Sequence, residues 1–353
     1  MDTFWLKPKL YFGEDPMSAL DTLAGRRVLI VTDAFLASSG LLDRVKARLT
    51  GAVEVFDRVE PDPSLRLVAQ GVKVLQDFAP DAVVAFGGGS PMDCAKGMCW
   101  FAPAHPPLWC IPTTAGTGSE VTSFAVLTDT DKGVKYPLVE DALLPDAAIL
   151  DPALLDGVPP HVTADTGMDV LTHAAEAYVA KGANHFTDAM AEKAFTLAYR
   201  RLPDAFQGDR GAKADMLLAS CLAGMAFNAA GLGVCHSMAH ALGGRFHAPH
   251  GRLNALLLPH VVNFNAVDQR AGEKYAHLAK LCGLAANPRA LAAALIRLRG
   301  QVKIAAKASF TRAELAAALP GVSAAALADV CLSANPRAVS AADVEGMMRE
   351  IGG

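Results

Sequence analysis

The chain has 353 residues, 52% of them hydrophobic and 19% charged, which is enough for two domains with ample cores. A net charge of −4 with no basic block excludes a nucleic acid or an anionic membrane surface as the obvious partner. No apolar run reaches the length of a membrane span, the opening MDTFWLKPKLYFGEDP lacks the apolar stretch of a secretion signal, and the seven scattered cysteines form no CxxC pair; together these predict reduced thiols and a cytoplasmic location.

Residues 27–32 (RVLIVT) form a β-branched run ending at Asp33, the pattern of a buried parallel strand. Residues 53–59 read as a second strand, closed by Pro61-Asp62-Pro63. Ser64 is placed to cap a helix reaching about Phe78, with Leu65, Val68, Val72 and Leu75 at helical spacing. A third strand at 81–86 feeds Gly87-Gly88-Gly89-Ser90, and a helix is expected over 91–101. A fourth strand at 108–111 leads into PTTAGTGSE (112–120), and further strands are expected near 124–127 and 147–150. This alternation predicts an α/β domain built on a parallel sheet covered on both faces. From Pro159 onward long Ala/Leu/Met-rich helical patterns take over. Two prolines at 159 and 160 mark a boundary, giving an α/β domain over 1–158 and an all-helical domain over 159–353.

Two glycine-rich turns follow strands of the first half, at 87–90 and 113–119. Glycine lets backbone N–H groups approach a phosphate closely, and the helix N-terminus behind each turn favours negative charge. Ser90, Thr113, Thr114 and Thr117 add hydroxyl donors. Strand-to-helix turns need glycine anyway, so it is the pair of turns in one sheet that points to a nucleotide. Neither matches GxGxxG. Asp33 is placed either to accept hydrogen bonds from an adenosine ribose, favouring NAD over NADP, or to cap the next helix.

Asp169 and His173 are four apart on a predicted apolar helix, so they share a face; a buried aspartate there needs a partner, either the histidine or a cation. The stretch 233–259 holds four of the ten histidines. His236 and His240 share a helical face, while His247 and His250 lie past a Gly243-Gly244 break, in a segment that Pro249 and Gly251 are expected to keep from being regular helix. HSMAH lacks the glutamate of a zinc-protease HExxH helix, which sets that chemistry aside. One aspartate with three histidines makes a mixed N/O site suited to Fe(II) or Zn(II), with positions left for a substrate oxygen. The alanine-rich region after Asn287 carries little functional signal apart from Asn335-Pro336-Arg337.

The blocks GGGSPMDCAK (87–96), PTTAGTGSEVT (112–122), TGMDVLTHAAEAY (166–178) and HSMAHALGGRFHAPHGRLNALLLP (236–259) resemble the iron-containing, group III alcohol dehydrogenases over nearly the whole chain. MDTFWLKPKLYFG, DKGVKYPL (131–138), FTDAMAEKA (186–194) and the compact C-terminus are similar to the short propanol dehydrogenases of propanediol-degrading bacterial microcompartments. The resemblance implies the dehydroquinate synthase-like fold of that family, with NAD in the cleft between a nucleotide-binding sheet domain and a helical metal-binding, catalytic domain. It implies Asp169, His173, His236 and His250 as metal ligands. It implies cofactor contacts at Asp33, Gly88, Gly89, Ser90, Asp93, Thr113, Thr114, Thr117, Val126, Lys135 and Leu154, with His240 near the nicotinamide as a catalytic proton relay. Asp62 stands where many members carry asparagine, so no contact is carried over there; His247 has no role in the pattern.

The implied activity is NAD(H)-dependent, Fe(II)-activated interconversion of short primary alcohols and aldehydes, led by 1-propanol and propionaldehyde, with Zn(II) an alternative ion. Lactaldehyde/1,2-propanediol and ethanol/butanol remain alternative substrates. A homodimer or larger homo-oligomer is implied, with microcompartment shell or cargo proteins as partners. A scaffold or cargo protein with vestigial activity is the rival of a different class, and the complete Asp/His set argues against it.

Overall fold

The computed structural model describes residues 4–131 and 134–353, with only the backbone given for Val134 and Lys135. The chain divides into two compact units, Met1–Gly157 and Val158–Gly353.

In the first unit the chain runs β1 (Lys9–Tyr11), β2 (Val28–Val31), α1 (Ala34–Ser38), α2 (Leu41–Lys46), β3 (Val53–Phe56), α3 (Leu65–Phe78), β4 (Ala82–Gly87), α4 (Gly89–Phe101), β5 (Leu108–Pro112), β6 (Phe124–Asp129), β7 (Val134–Val139) and β8 (Ala147–Ile149). Six of these strands make one sheet in the order β1-β8-β5-β4-β2-β3, with every pairing parallel. All residues of β2 and β4 are buried, as central parallel strands covered on both faces must be. Leu29, Val31, Val83 and Ala85 from these strands share one core cluster with Val68 and Leu75 of α3 and Met98 of α4. Ser64 caps α3 by accepting the Leu67 N–H at 3.1 Å.

The strand expected near 124–127 does not join the parallel sheet. It is β6, which pairs antiparallel with β7 as a separate two-stranded ribbon, Val126 opposite Pro137 and Thr128 opposite Lys135. The physical reason is connection length: two strands joined by a short turn can pair only as a hairpin, whereas a parallel pairing needs a crossover. The edge strand β1 was not anticipated either, because three residues with one face half-exposed carry no alternation.

The second unit is helical: α5 (Pro160–Val179), α6 (His185–Phe206), α7 (Arg210–Ala230), α8 (Val234–Phe246), α9 (His250–Asn265), α10 (Gln269–Leu281), α11 (Pro288–Gln301), α12 (Arg312–Ala328) and α13 (Ala341–Ile351). Among the described residues no single helix is long and apolar enough to cross a membrane. Helix α5 is buried along nearly its whole length, so any polar side chain it carries inward must find a partner.

The sequence around 243–251 behaves differently from expectation. Gly243 and Gly244 do not break the helix; α8 continues through both to Phe246, since a glycine in a packed helix costs only about 1 kcal/mol. The turn comes at His247, which caps α8 in the left-handed region at φ 53°, and at Pro249, the N-cap of α9. His250 and Gly251 are therefore the first residues of a regular helix. Gly251 is needed for close approach: a Cβ there would lie 2.1 Å from the Asp165 carbonyl oxygen of α5.

Candidate active site

In the first unit β2 has β3 on one side and β4 on the other, so the strand order reverses at β2, where such sheets bind ligands beyond their carboxyl ends. Asp33, the 87–90 turn and the 113–119 turn leave the neighbouring strands β2, β4 and β5 at that edge. The two glycine turns touch. A Cβ on Gly88 would sit 3.2 Å from Thr114 Oγ1, and one on Gly89 would sit 2.9 Å from Thr117 Cγ2. A side chain at Gly89 would force Thr117 to shift and one at Gly88 would crowd Thr114, so the packing of one turn on the other favours glycine there as well as any phosphate would.

Behind them lies a buried polar clamp. Asp93 accepts hydrogen bonds from Ser119 Oγ at 2.8 Å and from the Val126 N–H at 3.0 Å. Lys96 donates to Ser119 Oγ, to the Thr122 carbonyl and to the Phe124 carbonyl, each at 2.8 Å. The clamp ties α4 to the second turn and to β6, leaving Gly89 and Ser90 at the helix N-terminus, where backbone N–H groups lack intrahelical partners. Asp33 caps α1, accepting the Leu36 N–H at 2.9 Å. Thr113 is buried and Thr114 and Thr117 half-buried, Val126 is engaged through its N–H as above, and Leu154 is buried in the turn after Asp151. The Lys135 side chain lies outside the described residues.

In the second unit α5, α8 and α9 bring the predicted donors together. Ligand atoms of Asp169, His173 and His236 lie within 4.8 Å of one another. His236 Nε2 and His250 Nε2 are each 3.6 Å from Asp169 Oδ1. The rings lie in succession: His173 and His236 are stacked with centroids 4.5 Å apart, His236 and His250 are tilted at 5.3 Å, and His240 and His250 are stacked at 5.1 Å.

Two residues that the sequence reading passed over organise this cluster. Glu176, three residues after His173 on the same face of α5, accepts from His236 Nδ1 at 2.6 Å and from the Cys235 N–H at 2.7 Å. One buried carboxylate thus caps α8 and fixes the His236 ring, the usual arrangement behind a metal-binding imidazole. It leaves Nε2 as the position facing Asp169. Asn254, one turn after His250, places its amide nitrogen 2.7 Å from Asp169 Oδ1, 3.3 Å from His236 Nε2 and 3.1 Å from His250 Nε2. One carboxylate oxygen and two ring nitrogens from three helices therefore converge on one point.

The electrostatics agree with a cation-seeking pocket. Burial would raise the Asp169 carboxyl, but the imidazoles of His173, His250 and His236 hold it well below the carboxylate range. Burial pulls His236 down, yet its hydrogen bonds to Asp169 and Glu176 raise it to about 9. Burial dominates at His250 and drives its pKa well below 6.5, keeping the ring neutral, the form in which imidazole binds a metal. Two buried carboxylates thus hold a proton on His236, and a divalent ion would compete for that place. The donor set fits a mixed N/O metal site.

His240 lies one turn beyond His236, half-buried, with Nδ1 2.9 Å from Asp329 Oδ2. A carboxylate only accepts, so Nδ1 carries the proton and Nε2 is left to take one. Asp329 belongs to the C-terminal region expected to carry little function. Asn335, in the Asn-Pro-Arg stretch that the sequence set apart from that region, accepts the Val234 N–H at 3.2 Å and exchanges hydrogen bonds with Asn265, pinning the start of α8. His247 is exposed and serves as the C-cap of α8.

Comparison with known proteins covers both units. Residues 7–152 match the family model described as "Iron-containing alcohol dehydrogenase", and residues 163–352 match "Fe-containing alcohol dehydrogenase family, C-terminal". The chain is 46% identical to 1-propanol dehydrogenase PduQ of Salmonella typhimurium, over 99% of this chain and 100% of that protein. A solved structure of a 1,3-propanediol oxidoreductase matches with a TM-score of 0.90 at 36% identity, over 99% of this chain and 100% of the other. Sulfoacetaldehyde reductase from Bifidobacterium kashiwanohense, solved in complex with NAD+, matches with a TM-score of 0.90 at 27% identity, over 99% and 98% of the two chains. Full-length similarity, the shared fold and an Asp/His cluster on three helices together establish that this chain is an alcohol dehydrogenase of the iron-containing family, similar to the PduQ 1-propanol dehydrogenases.

Proposed function

We propose that the protein interconverts 1-propanol and propionaldehyde with NAD(H), using Fe(II) held by Asp169, His173, His236 and His250. The observation that carries this reading is the convergence of Asp169 Oδ1, His236 Nε2 and His250 Nε2 on one point, backed by Glu176. When bound, the ion supplies Lewis acidity to the substrate oxygen and the dinucleotide exchanges hydride with the substrate carbon.

The chain's own residues do the rest. Glu176 holds the His236 ring so that Nε2 faces Asp169. Gly88, Gly89, Ser90, Thr113, Thr114 and Thr117 offer backbone and hydroxyl donors to the pyrophosphate, and Asp93 with Lys96 keeps those turns in register. The Asp33 carboxylate accepts from a ribose and repels a 2′-phosphate, which favours NAD over NADP. During oxidation His240 accepts a proton at Nε2 while Asp329 holds Nδ1–H and stabilises the charged ring. Val126, Lys135 and Leu154 complete the cofactor contacts, as the family resemblance implies. That resemblance extends the reading to a homo-oligomer working in the cytoplasm or inside a bacterial microcompartment, beside its shell or cargo proteins. Lactaldehyde and ethanol or butanol are the alternative substrates.

The test is anaerobic NADH oxidation with propionaldehyde, on metal-stripped protein and after adding Fe(II) or Zn(II). Activity restored by Fe(II) and lost in His250→Ala supports the proposal. Activity with Zn(II) alone changes the ion, and binding of neither NAD nor metal refutes the reading.

A further inference from the structure

The second unit contains another convergence of donor atoms, in which the reaction scheme uses His240 and Asp329 but leaves the thiol of Cys331 without a role. His240, Asp329 and Cys331 each place one ligand atom within 4.8 Å of the other two. Asp329 is held on both sides: Oδ2 is 2.9 Å from His240 Nδ1, and Oδ1 accepts the Cys331 N–H at 2.8 Å. An Asp–His pair that only orients a ring has no use for a thiol. Here Asp329 and Cys331 are two apart on one short turn, the segment Val330–Ala334 capped by Asp329, and α8 packs against it carrying the imidazole. The sites of Asp329 and Cys331 are mostly buried, and His240 leaves one side partly open.

We propose that His240, Asp329 and Cys331 form a second cation site, separate from the Asp169 cluster, that takes a thiophilic divalent ion such as Zn(II). Zinc bonds of about 2.0–2.3 Å to N, O and S put tetrahedral donors roughly 3.3–3.6 Å apart. The three atoms lie within 4.8 Å of one another, so an ion would have to draw the sulfur and the Asp–His pair to that spacing, with water as the fourth ligand. The sulfur sets the selectivity. The Asp169 cluster offers only oxygen and nitrogen, whereas a thiolate favours Zn(II) and heavier soft ions over Fe(II).

Binding rearranges two protons. Cys331 gives its thiol proton to water, and the His240 ring proton moves from Nδ1 to Nε2 as Nδ1 takes up the ion. A ring protonated at Nε2 no longer accepts a proton from the alcohol side, so an ion in this site inhibits. That consequence rests on the proposed role of His240; the binding itself does not.

The experiment titrates the anaerobic Fe(II)-loaded enzyme with Cd(II), following the ultraviolet thiolate-to-cadmium charge-transfer band. Cadmium in the Asp169 cluster gives no such band, because that cluster lacks sulfur. The expected result is a saturable, stoichiometric band that is absent in Cys331→Ser and needs about tenfold more Cd(II) in Asp329→Asn. Inhibition by Zn(II) should weaken in Cys331→Ser to the same degree. Absence of the band in the wild type, or an undiminished band in Cys331→Ser from Cys99 or Cys282, overturns the proposal. A band without any dehydrogenase activity would leave the site standing and reject the catalytic reading instead.

Discussion

Gly251→Ala gives a sharp test of how the candidate metal centre is built. The added Cβ would lie 2.1 Å from the Asp165 carbonyl oxygen and 2.7 Å from its carbon, both backbone atoms of α5 that no rotamer change removes. Helices α5 and α9 must separate by roughly 1 Å to restore a tolerable contact. Alanine's better helix propensity returns about 1 kcal/mol, while overpacking of this kind costs about 1–3 kcal/mol, so a net loss of about 1 kcal/mol is expected. The larger effect falls on the ion. His250 immediately precedes Gly251, and its Nε2 stands 3.6 Å from Asp169 Oδ1 across the same interface. Metal–ligand distances tolerate only about 0.2 Å. A shift of that size should weaken metal binding by about 100-fold, comparable to losing a supporting residue. Co(II) titration against a competing chelator measures the affinity, and thermal unfolding of stripped protein measures the stability. Gly244→Ala is the control: nothing lies within 4 Å of its Cβ, so it should bind metal normally and melt no earlier. A Gly251→Ala protein with wild-type affinity and melting temperature would refute the reasoning.

Two further predictions follow from buried carboxylates. Glu176→Gln keeps an oxygen to accept the Cys235 N–H but removes the charge that holds His236 Nδ1–H; metal affinity should fall about 10–100-fold with little change in melting temperature, and unchanged affinity in the same chelator competition would contradict the role given to Glu176. Glu120 is fully buried beside Lys96, and burial raises its pKa from 4.5 to about 7. Because the folded state holds the proton more tightly, its stabilising contribution is complete below pH 4.5, declines as pH rises through 7 and is gone above it. The difference is about 3 kcal/mol. Urea unfolding at pH 5 and pH 8 should therefore show a decline in the wild type that Glu120→Gln abolishes; an equal decline in both proteins would show that another group is responsible.

Much of the architecture can be read from local pattern. Strand β4 and its glycine turn are a buried apolar run followed by residues that only a strand-to-helix connection needs. Asp169, His173 and Glu176 fall at helical spacing on one face, so Glu176 was within reach: a carboxylate in an otherwise apolar stripe must be answering something. Asn254 could have been found the same way, four residues after His250. Asp329 could not, nor could the partner of Asn335, although Asn335-Pro336-Arg337 stands out from its surroundings. The two residues meet His240 and Val234 across 89 and 101 residues, and nothing in an alanine-rich sequence announces which turn will fold back onto α8. The glycines at 243, 244 and 251 misled for a related reason. A glycine signals either freedom or crowding, and only the neighbouring helix tells which.

The placement of β1 sets an order on the assembly of the first unit. Strands β2 to β5 pair with near neighbours in the chain, but Lys9, Leu10 and Tyr11 pair with Ala147, Ala148 and Ile149. As the chain emerges from the ribosome at about 5–20 residues per second, the first strand made must wait while nearly 140 residues follow. Throughout that interval an unpaired edge and the exposed Trp5, Leu6 and Phe12 beside it are available to other nascent chains. Pairing with β8 satisfies that backbone edge, so substitutions that delay β8 should lower the yield of native protein during rapid synthesis far more than they lower its stability once folded.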